Sequence, residues 1–348
     1  MIIRPIQKSR IESIDFDNLS FGTIFTDHMF VCDYVDGAWG EPEIIPYAPI
    51  QLHPSASALH YGQAIFEGMK AYKDDNEDVW LFRPDQNIKR LNKSAERLAI
   101  PPFPEDLFLE GLNKLIDLDR DWVQSGFGNS LYIRPFMFAS EACVQASPAK
   151  EYRIMIICAP VSSYYNSGEV RVKIADHFSR AAQGGTGYAK AAGNYAGQFY
   201  PTQLAIDEGY QQIIWTDAAS HQYIEEAGTM NLFFNIGDKL ITAPTSDSIL
   251  DGVTRKSVIA LAKERGIEVE TRQLSVSELI EAAKNNTLKE IFGSGTAVVV
   301  LPIHGFGYKG EDFQLPKSED SLALKLKSDL TSIQYNKTDD PYGWRVKV

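Results

Sequence analysis

Residues 184–197 read Gly184-Gly185-Thr186-Gly187-Tyr188-Ala189-Lys190-Ala191-Ala192-Gly193-Asn194-Tyr195-Ala196-Gly197, one lysine among small residues with no carboxylate in the run. An amine held among small, weakly polar groups loses hydration of its charged form. That favours the neutral, nucleophilic amine that forms Schiff bases. The same run also fits a glycine-rich surface loop with a solvated lysine, and spacing alone leaves both readings open. A phosphate-binding P-loop is excluded, because the Gly-x4-Gly-Lys-Ser/Thr order is absent.

Two other segments add chemistry to that lysine. Gly293-Ser294-Gly295-Thr296-Ala297 follows a strand, Lys289 to Phe292, and reads as a turn with exposed backbone N–H groups and two hydroxyls. Leu250-Asp251-Gly252-Val253-Thr254-Arg255 opens a helix. Turns of successive N–H groups and helix N-termini both bind phosphate, although each alone is equally an ordinary turn or cap. An acid is available in Ile224-Glu225-Glu226-Ala227-Gly228-Thr229-Met230-Asn231, which in isolation reads as a solvated turn. Pyridoxal 5′-phosphate needs all three features: a Schiff-base lysine, a phosphate cradle and an acid at its pyridine nitrogen.

Around these segments the chain reads as two mixed α/β domains. Residues 1–161 form a smaller N-terminal domain, 162–169 an interdomain loop (Ser162-Ser163-Tyr164-Tyr165-Asn166-Ser167-Gly168, with Glu169), and 170–348 a larger domain carrying Lys190. In the first half, residues 40–53 carry three prolines and read as irregular. Residues 79–82, 130–138 and 153–161 read as strands, and 87–98 and 107–123 as helices. In the second half, strands are expected at 170–174, 212–216, 230–236, 239–243, 267–271 and 297–303. Gly237-Asp238 suits a hairpin turn, and helices are expected at 254–265 and 321–335. Ser275 and Glu278 have the spacing of a capping box.

Composition narrows the function classes. The 348 residues are 44% hydrophobic and 23% charged, the balance of a soluble globular chain, and the formal net charge is −12. No Lys/Arg cluster stands out, which excludes nucleic acid as the main ligand, and no apolar run reaches the roughly 18–20 residues of a membrane span. Three cysteines, Cys32, Cys143 and Cys158, are too few and too scattered for a disulfide framework or structural zinc, so no metal site is expected. The first twenty residues mix Arg4, Lys8 and Arg10 with Glu12, Asp15 and Asp17 and lack a secretory apolar core, so a cytoplasmic location is expected.

Several stretches together carry a resemblance: Ser57 to Met69 (SALHYGQAIFEGM), Leu131 to Pro135 (LYIRP), Gly184 to Tyr195, Glu226 to Leu232 (EAGTMNL), Gly252 to Arg255 (GVTR) and Phe292 to Ala297 (FGSGTA). Nearly end to end, the chain resembles the branched-chain amino acid aminotransferases, pyridoxal-phosphate enzymes of the D-amino acid aminotransferase-like fold, fold type IV. The resemblance implies reversible amino transfer between L-leucine, L-isoleucine or L-valine and 2-oxoglutarate in a homodimer with shared active sites. It makes Lys190 the cofactor lysine and Glu226, not Glu225, the acid at the pyridine nitrogen. Tyr195 becomes the partner of the phenolic oxygen and Arg90 the phosphate arginine, assisted by Val253, Thr254 and Thr296. Without it, Arg90 reads as a surface helix residue. Phe66, Tyr132, Tyr164, Thr229 and Ala297 are implied as substrate-pocket residues, Tyr61 as a contribution to the partner subunit, and Arg134 as a carboxylate contact.

Two departures from the animal members stand out. Their Cys-x-x-Cys directly after the Gly-Ser-Gly-Thr-Ala run is here Val298 and Leu301, so thiol redox control is not expected there. Residues 141–146 also differ, with Val144 and Ala146 at positions where the partner subunit lines the pocket. The nearest alternatives are a D-amino acid aminotransferase or an aminodeoxychorismate lyase of the same fold.

Overall fold

Two ten-residue apolar segments, Ser130–Ala139 and Tyr152–Val161, pair antiparallel along their whole length, from Ser130 opposite Val161 to Ala139 opposite Tyr152. In the computed structural model, which describes residues 1–162, 168–316 and 320–348, they are the centre of a ten-stranded sheet. His28–Val35 and Glu43–Pro46 extend it on one side, and Met69–Lys73, Val79–Phe82 and Arg345–Lys347 on the other. Glu43–Pro46 lies within the proline-rich stretch expected to be irregular. It is admitted because Pro46 closes the strand and Ile44 is fully buried between its neighbours. Ala64–Phe66 is a short extra strand against Met137 and Phe136.

Helices Pro84–Arg97 and Glu105–Leu118 cover this sheet with Ile88, Leu91, Ala95, Phe108, Leu112, Leu115 and Ile116, all fully buried. The first has Pro84 in its opening turn, where its missing N–H costs nothing. The second approaches closely at Gly111, where a Cβ would stand 2.4 Å from the Phe30 ring.

The compact units are not contiguous in sequence. The first comprises residues 1–164, 189–192 and 332–348; the second comprises 165–188 and 193–331. A single cut at 162–169 separates neither the Lys190 tetrapeptide nor the C-terminal segment, and residues 163–167 of that loop lie outside the described residues. Both additions have a pairing reason: Ala191 bridges to Ile65, and Arg345–Lys347 pairs with Phe82, Leu81 and Trp80.

The second unit holds two five-stranded sheets. One runs Ile224–Ala227, Gln212–Thr216, Arg171–Ile174, Gly305–Tyr308, Glu311–Gln314; the other runs Glu268–Thr271, Lys239–Thr242, Asn231–Ile236, Leu288–Gly295, Val299–Ile303. Gly237 and Asp238 form the expected hairpin turn, and Ser275 caps helix Val276–Lys284 by accepting the Glu278 N–H. The Glu278 carboxylate pairs instead with Arg272, so that half of the capping box is given to an ion pair. The fold is mixed α/β throughout.

The reading of residues 293–295 is also overturned. Gly293, Ser294 and Gly295 are not a turn: they continue strand Leu288–Gly295, opposite Leu301, Val300 and Val299. The glycines are required by packing. A Cβ on Gly293 would lie 2.5 Å from Met230 Sδ, and one on Gly295 would lie 3.1 Å from the Thr229 carbonyl. The turn begins only at Thr296.

Candidate active site

In the first unit the backbone of Lys190 is pinned from two sides. Its N–H donates to Ser94 Oγ at 2.9 Å, and its carbonyl accepts from the Phe66 N–H at 3.1 Å. Ser94 lies on helix Pro84–Arg97, the helix that carries Arg90, and donates to the Arg90 carbonyl at 3.0 Å. The Lys190 amine sits 4.8 Å from the centroid of the Phe66 ring. The Arg134 guanidinium lies 4.6 Å from the same ring and donates to the Tyr132 hydroxyl at 2.9 Å. Tyr132 and Arg134 are two apart on one strand and therefore project from the same face. Gly68 gives the phenol its space, since a Cβ there would stand 2.3 Å from Tyr132 Oη. An amine and a guanidinium thus both lie against one aromatic ring, an arrangement suited to a molecule bearing a carboxylate beside an apolar chain.

Next to Phe66 in the chain stands a fully buried acid, Glu67. Arg90 donates to it twice, from Nε at 2.7 Å and from Nη2 at 2.9 Å. Asn87 Nδ2 adds a third donor at 2.7 Å and the Gly68 N–H a fourth at 3.1 Å. Burial pushes the Glu67 carboxyl up, but the Arg90 guanidinium outweighs it, helped by Lys190 and Asn87, and the net direction is down. Arg90 is therefore no free surface cation: its fork is held in one orientation by a fixed counter-charge.

A stability prediction arises here. Glu67→Gln turns one acceptor into a donor facing Arg90, and the loss expected at neutral pH is about 1.5–3 kcal/mol. A carboxyl held below its ordinary value stabilises the fold above the ordinary carboxyl range and loses that contribution as pH falls through the lowered value. The gap between wild type and Glu67→Gln should accordingly be widest near neutrality and close on acidification. Denaturant titrations of both proteins across pH measure it.

In the second unit Glu226 is buried and held from both sides. Its Oε2 accepts the Leu250 N–H at 3.0 Å and Asn231 Nδ2 at 3.3 Å, while Oε1 faces Arg180 Nη2 at 3.0 Å. All three contacts come from N–H donors. The neighbouring Glu225 is different: burial pushes its carboxyl up, against weaker opposition from a Ser248 hydrogen bond and Arg180. The loop before Lys190 is fixed in the same unit. Thr186 and Asn194 exchange hydrogen bonds of 2.7 and 2.8 Å, the Tyr188 N–H reaches the Asp247 carbonyl at 2.9 Å, and Tyr195 follows half-buried on helix Ala192–Ala196.

Helix Val253–Glu264 begins after Gly252, which has no side chain to cap it. Its dipole and first N–H groups, those of Val253 and Thr254 among them, favour an anion. Gly252 is also a steric requirement, since a Cβ would fall 2.0 Å from Asn231 Oδ1, on the residue that reaches Glu226. Gly252→Ala should therefore displace Asn231 and cost about 1–3 kcal/mol. Weaker cofactor retention, measured by dialysis and absorbance, is expected with it.

The family model for amino-transferase class IV matches residues 64–306. The chain is 45% identical over 338 residues to branched-chain-amino-acid aminotransferase 2 of Bacillus subtilis (strain 168), covering 96% of this chain and 93% of that one. The chain belongs to the class IV aminotransferases. Within that class it groups with the branched-chain-amino-acid aminotransferases: it is 45% identical over 342 residues to branched-chain-amino-acid transaminase 1 of the same organism, with 97% and 96% covered. The branched-chain amino acid aminotransferase of Escherichia coli superposes with a TM-score of 0.72, at 27% identity, over 92% of this chain and 98% of that one.

Pyridoxal 5′-phosphate is the cofactor of this family, and the residues of this aminotransferase fit it. In the second unit a helix N-terminus with a glycine N-cap suits a phosphate and a carboxylate ringed by donors suits a protonated ring nitrogen; in the first unit Arg90, oriented by Glu67, is by itself a phosphate-type ligand. In the second unit, Thr229 is exposed in the turn after strand Ile224–Ala227. Its carbonyl neighbours Gly295, next to Thr296 and Ala297. Tyr61 is half-exposed at the end of helix Ser57–Tyr61 and donates to the Val144 carbonyl. Tyr164 lies outside the described residues. Val298 and Leu301 are buried in the apolar core of the second unit.

Sequence reasoning misses four residues of this aminotransferase: Glu67, Ser94, Arg180 and Asn231. Glu67 carries a legible signal, an acid in the run Ala64-Ile65-Phe66-Glu67-Gly68-Met69 whose neighbours are apolar or glycine; such an acid must find a partner. Asn231 appears only as a member of the run Glu226 to Leu232, and Ser94 and Arg180 carry no signal.

Proposed function

We propose that this aminotransferase moves the amino group reversibly between L-leucine, L-isoleucine or L-valine and 2-oxoglutarate. The observation that carries the reading is the Phe66 ring flanked by the Lys190 amine and the Arg134 guanidinium. An amino acid needs an acceptor for its carboxylate, a base near its α-carbon and an apolar surface for its side chain, and these three residues supply them.

When bound, pyridoxal phosphate supplies the electron sink for the pair left when the substrate Cα–H bond breaks. Lys190 holds the cofactor and then, as a free amine, carries the proton away from the substrate α-carbon. Glu226 keeps a proton on the ring nitrogen, and Tyr195 donates to the phenolic oxygen. Arg90, oriented by Glu67, binds the phosphate together with the Val253 and Thr254 N–H groups and Thr296. Phe66, Tyr132, Tyr164, Thr229 and Ala297 shape the apolar side of the pocket, and charged side chains are penalised there.

A homodimer with shared sites belongs to the same reading. It is supported by the apolar side chains Leu59, Tyr61 and Val144, which are 62%, 49% and 59% exposed around one short helix and its hydrogen-bonded neighbour. No helix among the described residues is long and apolar enough to cross a membrane; a cytoplasmic location is proposed with it.

The deciding assay offers the purified protein L-leucine, L-isoleucine and L-valine with 2-oxoglutarate, beside D-alanine and aminodeoxychorismate. Turnover of the three L-amino acids and not of the other two is expected. Preferential turnover of D-alanine, or release of pyruvate from aminodeoxychorismate, would replace the reading by one of the sister activities.

A further inference from the structure

Arg180 has no part in the roles described so far, yet it is one of the least exposed charged side chains of the second unit. Its side chain is 4% exposed and that of Glu226 is 7% exposed, and their charged groups meet at 3.0 Å. The same guanidinium donates to the Gly187 carbonyl at 3.2 Å and to the Ser248 carbonyl. Gly187 belongs to the loop that leads to Lys190, and Ser248 stands two residues before Leu250, whose N–H reaches Glu226. A Cβ on Gly187 would stand 2.6 Å from the Ser248 Cα, so the loop and the Ser248 turn are in tight backbone contact at the point that Arg180 spans.

Simple stapling does not account for this residue. Burying a cation carries a desolvation penalty, and two backbone carbonyls could be satisfied by neutral donors. Moreover, Arg180 Nε has no hydrogen-bond partner among the described residues, so the guanidinium is not placed to saturate its donors. What the site does gain from a cation is a counter-charge for a buried carboxylate. Two acids adjoin in the sequence, and the direct ion pair goes to Glu226, while Glu225 turns to Ser248. An opposite charge at this range favours the ionised carboxyl over the neutral acid.

We propose that Arg180 is a positioning residue that keeps Glu226 ionised, so that the proton shared between Glu226 and the cofactor stays on the ring nitrogen. This rests on Glu226 being the ring-nitrogen acid. Arg180 touches no reacting atom and acts only through that carboxylate.

The test uses the holoenzyme loaded with pyridoxal phosphate labelled with 15N in the ring, in wild type, Arg180→Gln, Arg180→Lys, Glu226→Gln and the Arg180→Gln/Glu226→Gln double variant. The ring-nitrogen NMR signal, the rate of the L-leucine half-reaction and the cofactor dissociation constant are measured. Arg180→Gln should move the signal toward the unprotonated position and slow the half-reaction at least about tenfold. Arg180→Lys, which keeps the charge but loses the fork, should hold the signal near wild type. In the Glu226→Gln background, Arg180→Gln should add less than about a twofold further loss, because the two act as one unit.

If Arg180→Gln leaves the ring nitrogen protonated while Glu226→Gln does not, Arg180 is only a staple and the inference is overturned. It is overturned equally if Arg180→Lys shifts the signal as far as Glu226→Gln, a result that stands even where Arg180→Gln does not fold. If Glu226→Gln itself leaves the signal unchanged, the reading of Glu226 fails, which is a different outcome.

Discussion

Lys190→Ala is expected to slow amino transfer from L-leucine by at least about 10⁴-fold, the upper range for loss of a positioned acid–base group. The expectation has two parts. In the proposed reading the side-chain amine, which lies 4.8 Å from the Phe66 ring centroid, is both the attachment point for the cofactor and the base, so its removal ends both roles. The fold, in contrast, holds this residue by its backbone, through the Ser94 and Phe66 hydrogen bonds, and alanine keeps both. Denaturant unfolding should therefore stay close to wild type while the absorbance change on adding L-leucine disappears. Partial recovery with a small primary amine is expected, since the missing group is a diffusible base. A variant that turns over within tenfold of wild type would remove Lys190 from the chemistry.

The second large effect is expected from Glu226→Gln, a fall in turnover of about 10²–10³, the usual loss when one preorganised electrostatic partner is removed. Cofactor affinity should change far less. The phosphate contacts assigned to Arg90 and to the N-terminus of helix Val253–Glu264 do not include Glu226, and glutamine can still accept the Leu250 N–H. Titrating apoenzyme with pyridoxal phosphate separates the two quantities. If affinity falls in proportion to turnover, Glu226 is an anchor and not the support of the electron sink.

The fold is legible where one strand or helix determines its own pattern. Residues 79–82 and 212–216 match their strands to the residue, because a short run of apolar and β-branched side chains between polar turns has few other solutions. The helix N-terminus at Gly252 is legible for the same local reason. What depends on a distant partner is not. Arg345–Lys347 is a strand only because Val79–Phe82 offers an edge. Gly293 and Gly295 resemble a turn because the chain that occupies their missing side-chain space, Thr229 and Met230, lies far back in the sequence.

The site divides along the same line. Lys190 and the acid pair at Glu225 and Glu226 stand out in the sequence as candidates, a lone amine among small residues and adjacent carboxylates, but each alone fits a surface loop or turn equally and only their combination points to a site. Arg90 is not, because its helix position looks solvent-facing until Glu67 is brought beneath it. Arg180 is harder still. Nothing in its own neighbourhood distinguishes it, and its partner lies in a strand paired with a different part of the chain.

Reduction of the holoenzyme with borohydride, followed by proteolysis and mass spectrometry, tests Lys190 most directly. The phosphopyridoxyl group should be found on the peptide containing Gly187-Tyr188-Ala189-Lys190, at Lys190 and at no other lysine, and L-leucine added before the reductant should diminish it. Label on a different lysine, or none on a protein that shows the cofactor's visible band, would contradict the assignment.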